Sequence, residues 1–397
     1  RALANNSACY TEKPDIGVFM DEWKALYESK SGERGIFNRV SAVKISEKSG
    51  RRNTENHDFG TNPCSEIILR NREFCNLSEV VIRPTDTRES LLKKVRLATI
   101  LGTFQSTLVN FKYISSVWKK NCEEERLLGV SLTGIMDCNL TNGKQLSNGE
   151  KVESNALPQL LNELREMALK TNAEFAKKIG INQSVAITCV KPSGTVSQLV
   201  NAASGIHARH NPYYIRTVRG DKKDPLTKMM KDAGFPIEDD VMNPSHTAVF
   251  SFPMKVNKSS IFRNDMSAIE QLELWLVYQN HWCEHKPSVT ISVREEEWLD
   301  VGAWVYKHFD IMSGVSFLPY SEHIYKQAPY QDIKKEEYDK LLSLMPKDIN
   351  WSMLSEYEKT DMTSGSQELA CSASVCEVVD LVSSIPQTIS DVTEIGL

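Results

Sequence analysis

The sequence predicts an α/β protein built on a parallel sheet of five strands, and three observations carry that prediction. Five short, apolar, mostly β-branched runs, at 78–82, 129–133, 184–188, 288–293 and 314–318, read as buried strands. Long helical patterns at 89–108, 157–179, 267–282 and 295–309 separate them. Strand and helix alternating in this way imply right-handed crossovers and hence parallel pairing. Five strands are few for a closed barrel but enough for an open sheet or half of a larger barrel.

Ahead of the first strand, residues 15–27 read as a helix with Phe19, Trp23, Leu26 and Tyr27 on one face, ending near Gly32. A polar loop rich in Asn, Arg and Gly follows over 46–63. The stretch 222–264 breaks the strand–helix rhythm and reads as an excursion. From about Gln327 the chain turns polar and irregular, and 363–397 reads as a flexible tail.

The 397 residues are enough for two or three domains or one large barrel. The hydrophobic fraction of 41% and charged fraction of 25% are those of a soluble globular protein. A formal net charge of -5 argues against a general nucleic-acid surface. No apolar run reaches membrane-spanning length, and the first residues lack the pattern of a secretory signal. They also lack an initiator Met, which suggests a fragment or a processed piece. Nine cysteines with no CxxC pair suggest neither a secreted disulfide framework nor a zinc site, so a cytoplasmic chain with mostly reduced thiols is expected.

Four motifs could carry chemistry. In Asn62-Pro63-Cys64-Ser65-Glu66, Pro63 restricts Asn62 to extended backbone, so the motif is a turn or loop tip. There a thiol and a carboxylate can approach one substrate, the thiol for radical work and the carboxylate as a base. Taken alone, it equally suits a loop cysteine beside a surface glutamate. Cys75 follows eleven residues after Cys64, just before the first strand, where a packed structural thiol is the simpler reading. Lys191-Pro192-Ser193-Gly194-Thr195-Val196-Ser197 is a Gly- and hydroxyl-rich turn after a strand, suited to phosphate, though an ordinary capped turn fits the spacing as well. Cys371 and Cys376 lie in the tail, four residues between them, and suit a redox shuttle that must physically reach its target.

Other residues take plainer readings. Cys122, Cys138, Cys189 and Cys283 read as packed or incidental thiols, and His207 and His210 beside Arg209 as loop residues with no metal site. Tyr213 and Tyr214 read as ordinary aromatics.

The four motifs in this order resemble the large subunit of ribonucleotide reductases. By that likeness Cys64 is the thiyl-radical cysteine, Glu66 the base on the 3′-hydroxyl and Asn62 a substrate hydrogen-bond partner. Cys75 belongs to the reducing pair, Cys371 and Cys376 form the C-terminal shuttle, and Pro192, Ser193, Gly194, Thr195, Ser197 and Leu77 bind the substrate. The Cys64–Cys75 spacing, the run from Cys75 to Val80 and the run from Gly314 to Pro319 resemble class II, the adenosylcobalamin-dependent enzymes. Class I enzymes carry a Tyr-Tyr pair where Phe317 and Leu318 stand here. The triphosphate-reducing branch is the closer likeness.

The resemblance implies the second five-stranded parallel half of a ten-stranded α/β barrel with a central finger loop. It divides the chain into a helical segment after the effector loop (1–45), the finger loop (46–77), the half-barrel (78–326, with the excursion 222–264), a polar connector (327–362) and a flexible redox tail (363–397). The implied partners are a ribonucleotide, thioredoxin or a similar reductant, and an N-terminal half should the gene be split, with no nucleic acid and no membrane. The Ser-Ala-Ser-Val spacer between the tail cysteines departs from the glycines common in the family. The rivals are a class I fragment, a glycyl-radical lyase and a non-catalytic half of a split or intein-separated enzyme. The lyase would need a glycyl-radical loop that the sequence does not display.

Overall fold

A computed structural model describes residues 6–29, 34–55, 57–144, 156–256, 260–320 and 326–359. It separates into two compact units. One runs to Pro212 and resumes at Val256; the other holds Tyr213–Lys255 and the described residues from 326 onward.

The first unit opens with strand β1 (Asn6–Tyr10), helix α1 (Ile16–Ser29), β2 (Arg34–Asn38) and α2 (Arg39–Lys48). Asp15 starts α1 by accepting from the N–H groups of Gly17 and Val18, and Phe19, Trp23 and Leu26 are buried as their spacing requires. Next come a hairpin of β3 (Phe59–Thr61) and β4 (Ile68–Arg70), then β5 (Asn76–Val81), α3 (Arg88–Gln105), α4 (Ser116–Glu125) and β6 (Leu128–Thr133). A Thr87–Ser90 capping box fixes the start of α3. Helix α5 (Ala156–Ile179), β7 (Thr188–Cys189) and the single-turn α6 (Val196–Leu199) complete the stretch before the second unit.

The second unit holds β8 (Tyr213–Asp221), α7 (Pro225–Asp232), β9 (Ile237–Asp239) and β10 (Thr247–Lys255). The chain then returns to the first unit with α8 (Ala268–His281), β11 (Thr290–Val293), α9 (Trp298–Lys307) and β12 (Gly314–Pro319). Strand β13 (Tyr330–Asp332), α10 (Lys335–Leu344) and α11 (Leu354–Glu358) belong to the second unit. There the sheet order is β13-β8-β10-β9, antiparallel throughout.

In the first unit β5, β6 and β7 pair in parallel, and β11 pairs in parallel with β12. A parallel bridge from Val190 to Pro287 joins β7 to the approach of β11. The five expected strands therefore follow one another as β5-β6-β7-β11-β12. At the β12 side the direction reverses: β2 pairs antiparallel with β12 and parallel with β1. The apolar core lies between strands and helices, and its two largest side chains are anchored by polar contacts. Trp275 donates to the Pro287 carbonyl at 2.9 Å and Trp282 to the Cys189 carbonyl at 2.7 Å.

Several expectations need correction. The segment 1–45 is not purely helical, because β1 and β2 form where β12 offers them a partner sheet. The expected strand at 184–188 shortens to Thr188–Cys189. Its earlier N–H groups go elsewhere: Ser184 N–H to the Asn172 side chain and Ile187 N–H to the Glu284 carboxylate. The excursion starts earlier than expected, at Tyr213, and is an antiparallel sheet. The polar segment after Gln327 is not irregular, since it supplies β13, α10 and α11.

Candidate active site

The Asn62–Glu66 motif is the tip of the β3–β4 hairpin, the turn that Pro63 predicted. Ser65 N–H donates to the Asn62 carbonyl at 2.9 Å, and the Asn62 side chain accepts from Ile67 N–H at 3.0 Å. Asn62 thus has a structural task in closing the turn. Ser65 sits at φ 66°, the left-handed region, which costs a non-glycine residue about 1 kcal/mol. Cys64 is half-buried, and Glu66 is buried at 2% exposure. The Oε2 atom of Glu66 has no hydrogen-bond partner among the described residues, which for a buried carboxylate oxygen points to an absent donor.

The tip is held by a segment the sequence did not single out, Glu284–Ser288. Ser288 Oγ donates to the Cys64 carbonyl at 2.6 Å. Lys286 donates twice, from its backbone N–H to the Glu66 carbonyl (3.2 Å) and from Nζ to Ser65 Oγ (2.9 Å). His285 Nδ1 accepts from Ile68 N–H at 3.2 Å, so its Nε2–H donates to the Leu128 carbonyl at 3.0 Å. Burial, with Arg52 adding, pushes this imidazole down to about 3, so it stays neutral and can accept. Lys286 is also pushed down by burial, to about 8, while Glu66, Cys283 and Cys64 favour its charged form.

Cys75 lies just before β5, close enough to Glu66, Glu73 and Arg52 to feel their charges. Burial raises its thiol well above the usual range and the two carboxylates raise it further, so it is a protonated thiol at neutral pH. Leu77 and Ile67 reach over Gly129 of β6: a Cβ there would lie 2.4 Å from Leu77 Cδ2 and 3.0 Å from Ile67 Cδ1. Beneath the hairpin, Arg52 pairs with Glu73 (3.3 Å) and Glu125 (2.7 Å), while Arg70 lies 3.5 Å from each of the same two carboxylates. Burial and the neighbouring Glu125 push Glu73 up to about 8.

The Pro192–Ser197 turn follows the bridge at Val190. Ser193 and Ser197 are buried and bound to each other, Ser193 Oγ accepting from Ser197 N–H at 3.2 Å and Ser197 Oγ donating to the Ser193 carbonyl. They shape the turn. The N–H groups of Gly194, Thr195 and Val196 donate to no acceptor among the described residues, and Thr195 is exposed. Successive free N–H groups of this kind suit an anion. The helix they precede has a single turn. Cys122, Cys138, Cys189 and Cys283 are buried, as their plain reading required. His207 accepts from Thr290 N–H at 3.1 Å and packs as a structural residue. Cys371 and Cys376 lie outside the described residues.

No protein-family model matches the chain. Curated relatives do. An adenosylcobalamin-dependent ribonucleoside-triphosphate reductase of Lactobacillus delbrueckii subsp. bulgaricus is 29% identical over 300 residues, 71% of this chain and 40% of that protein. A protein of the same name from Lactobacillus gasseri is 28% identical over 368 residues, 86% of this chain and 48% of that one. The crystal structure of a B-12 dependent (class II) ribonucleotide reductase superposes with a TM-score of 0.71 at 25% identity, covering 90% of this chain and 52% of that one. The chain is similar to the C-terminal part of class II ribonucleotide reductases. It spans about two-fifths of the length of the first curated relatives it matches. A mixed α/β fold resembling reductase catalytic subunits is thereby shown.

Proposed function

We propose that this chain carries the radical-cysteine half of an adenosylcobalamin-dependent reductase that converts ribonucleoside triphosphates to 2′-deoxyribonucleotides, completed by a counterpart of the remaining length of its relatives. The observation that carries this reading is the buried Glu66 side chain, its Oε2 without a hydrogen-bond partner among the described residues, two residues from Cys64 on a turn held in left-handed geometry. A buried acceptor oxygen with nothing to accept suits the 3′-hydroxyl of a bound ribose.

Adenosylcobalamin, when bound, supplies by homolysis the carbon radical needed to oxidise a thiol. What this chain offers it is Cys64, half-exposed at the hairpin tip. Strand β12 supports a cofactor-borne radical over a tyrosine relay, since Phe317 is buried edge-on against Trp23, ring centroids 4.9 Å apart, and Leu318 follows it. The Cys64 thiyl takes the 3′-hydrogen atom as Glu66 takes the 3′-hydroxyl proton. The 2′-hydroxyl leaves as water, protonated by the Cys75 thiol, which burial keeps protonated. Cys75 and a partner thiol give two electrons and become a disulfide, and Cys64 returns its hydrogen to C3′. The N–H groups of Gly194–Val196 receive a substrate phosphate. The parallel order β5-β6-β7-β11-β12 and the reversal at β2 support one half of a ten-stranded barrel meeting strands of the other half.

Cys64→Ser in the complete reductase should abolish both nucleotide reduction and exchange of the cofactor's 5′-hydrogens with solvent. Full turnover by that variant would refute the assignment. Glu66→Gln should slow 3′ C–H cleavage about 100-fold with little change in substrate affinity; normal turnover with weakened binding would make Glu66 a binding residue.

A further inference from the structure

We infer that Lys286 is the positioning residue of this site, supplying a buried positive charge that faces Glu66 and Cys64 and bracing the turn that presents them. The inference rests on the radical-cysteine reading for what the turn does. Its geometry stands independently.

Lys286 is 1% exposed, so its ammonium has left water almost completely. No carboxylate of the described residues lies within ion-pair distance of its Nζ, and its one side-chain hydrogen bond is to Ser65 Oγ. A desolvated lysine with so little direct compensation is expensive to keep. The same residue fixes the left-handed step of the turn from two sides, through Ser65 Oγ and the Glu66 carbonyl, while its own carbonyl accepts from Val190 N–H at 3.3 Å. It therefore ties the hairpin tip to the backbone leading into the Pro192–Ser197 turn. Gly314 adjoins the pair: a Cβ there would sit 3.1 Å from the Ile36 carbonyl oxygen and 3.3 Å from Lys286 Nζ, both tighter than ordinary contact, and would touch Ser65 Oγ at 3.4 Å. Glu66 and Cys64 of the hairpin and Cys283 after α8 lie near enough to favour the charged form of the ammonium. Of these Glu66 is a buried carboxylate whose Oε2 has no hydrogen-bond partner among the described residues, so a nearby charge of opposite sign offsets its burial without occupying that oxygen.

The first test needs no turnover. NMR of 13C-labelled lysine in the complete protein should reveal one buried lysine titrating near pH 8, where burial sets Lys286, and Lys286→Met should delete that signal. In Glu66→Gln the midpoint should fall, because removing an anion disfavours the ammonium. An unchanged midpoint in Glu66→Gln would show that the two charges do not face each other, and would overturn the inference.

Turnover supplies the second test. The cation is present below about pH 8 and lost above it, so wild-type kcat should have a basic limb near there. Lys286→Met should lower kcat about 100-fold, the cost of one preorganised charge in a dry site, and should lose that limb. Lys286→Arg, charged throughout, should retain more activity than Lys286→Met and shift the limb upward. Wild-type kcat in Lys286→Met, or an intact limb in a slowed variant, would leave Lys286 as packing alone. Nucleotide reduction that persists in Cys64→Ser would instead remove the functional reading and leave the charge coupling to stand on the titration.

Discussion

Gly129 decides how closely the hairpin can approach the sheet. Its missing side chain is the space that Leu77 and Ile67 fill, with Cys189 Sγ 3.3 Å from where a Cβ would be. Gly129→Ala would put carbon 2.4 Å from Leu77 Cδ2 in a strand whose every residue is buried, so Leu77 must move. The expected cost is about 1 kcal/mol by denaturant titration, the low end of the range for overpacking, because Leu77 is exposed enough for its methyl to swing aside. Leu77→Ala in the same chain should recover part of it, because the clashing methyl is gone. Strictly additive losses in the double variant would show that the two positions do not share the space. The turn at Asn62–Glu66 was legible because Pro63 is a local signal, whereas the burial of Glu66 was not, since the motif by itself equally suited a surface glutamate. Lys286 was not, because its partner Ser65 lies 221 residues away and only the strand order brings the two together. His285 was hidden for the same reason, 217 residues from Ile68.

The β3–β4 hairpin is short, three residues on each side, and cannot stand by itself. It is seated by Phe59 and Ile68 in a small apolar cluster with Ala42 and Ile45 of α2, and by the Arg52–Arg70–Glu73–Glu125 network that ties it to α4. Glu73 titrates near 8 when folded against an ordinary 4.5, so folding takes up a proton there. The stability this contributes is complete below about pH 4.5 and is lost as pH rises through about 8. Glu73→Gln cannot ionise. Its melting temperature should fall less than wild type between pH 5 and pH 9, and melting curves that stay parallel across that range would reject the assignment. At this scale the sequence was readable where periodicity is strong, as in α1, α3, α5 and α8. It was opaque at β1 and β2, whose runs NSACY and RGIFN carry little strand signal. They become strands because β12 offers β2 an edge, pairing Gly314 with Phe37.

On the scale of the whole molecule, the break in rhythm after β7 was visible in the sequence, but not what it was for. The excursion acquires its partner from far along the chain, where Tyr330 of β13 pairs with Arg216 of β8. A polar run with no obvious pattern thus becomes a sheet edge with two helices of the same unit, an outcome that depends on pairing across more than a hundred residues. Beyond residue 359 lie Cys371 and Cys376, and the proposed function gives them a testable task. On that proposal one reduction takes two electrons from Cys75 and a partner thiol, so Cys371→Ser or Cys376→Ser should leave a single turnover intact. The next turnover needs the resulting disulfide reduced, and exchange requires a thiolate to reach one of its sulfurs. On that proposal the tail cysteines carry electrons between the site and a protein-sized reductant. Repeated turnover with thioredoxin should therefore collapse in either variant. Dithiothreitol should restore it, because a small dithiol can enter where thioredoxin cannot. Steady cycling of both variants on thioredoxin alone would reduce the two tail cysteines to incidental thiols while leaving the roles proposed for Cys64, Glu66 and Cys75 untouched.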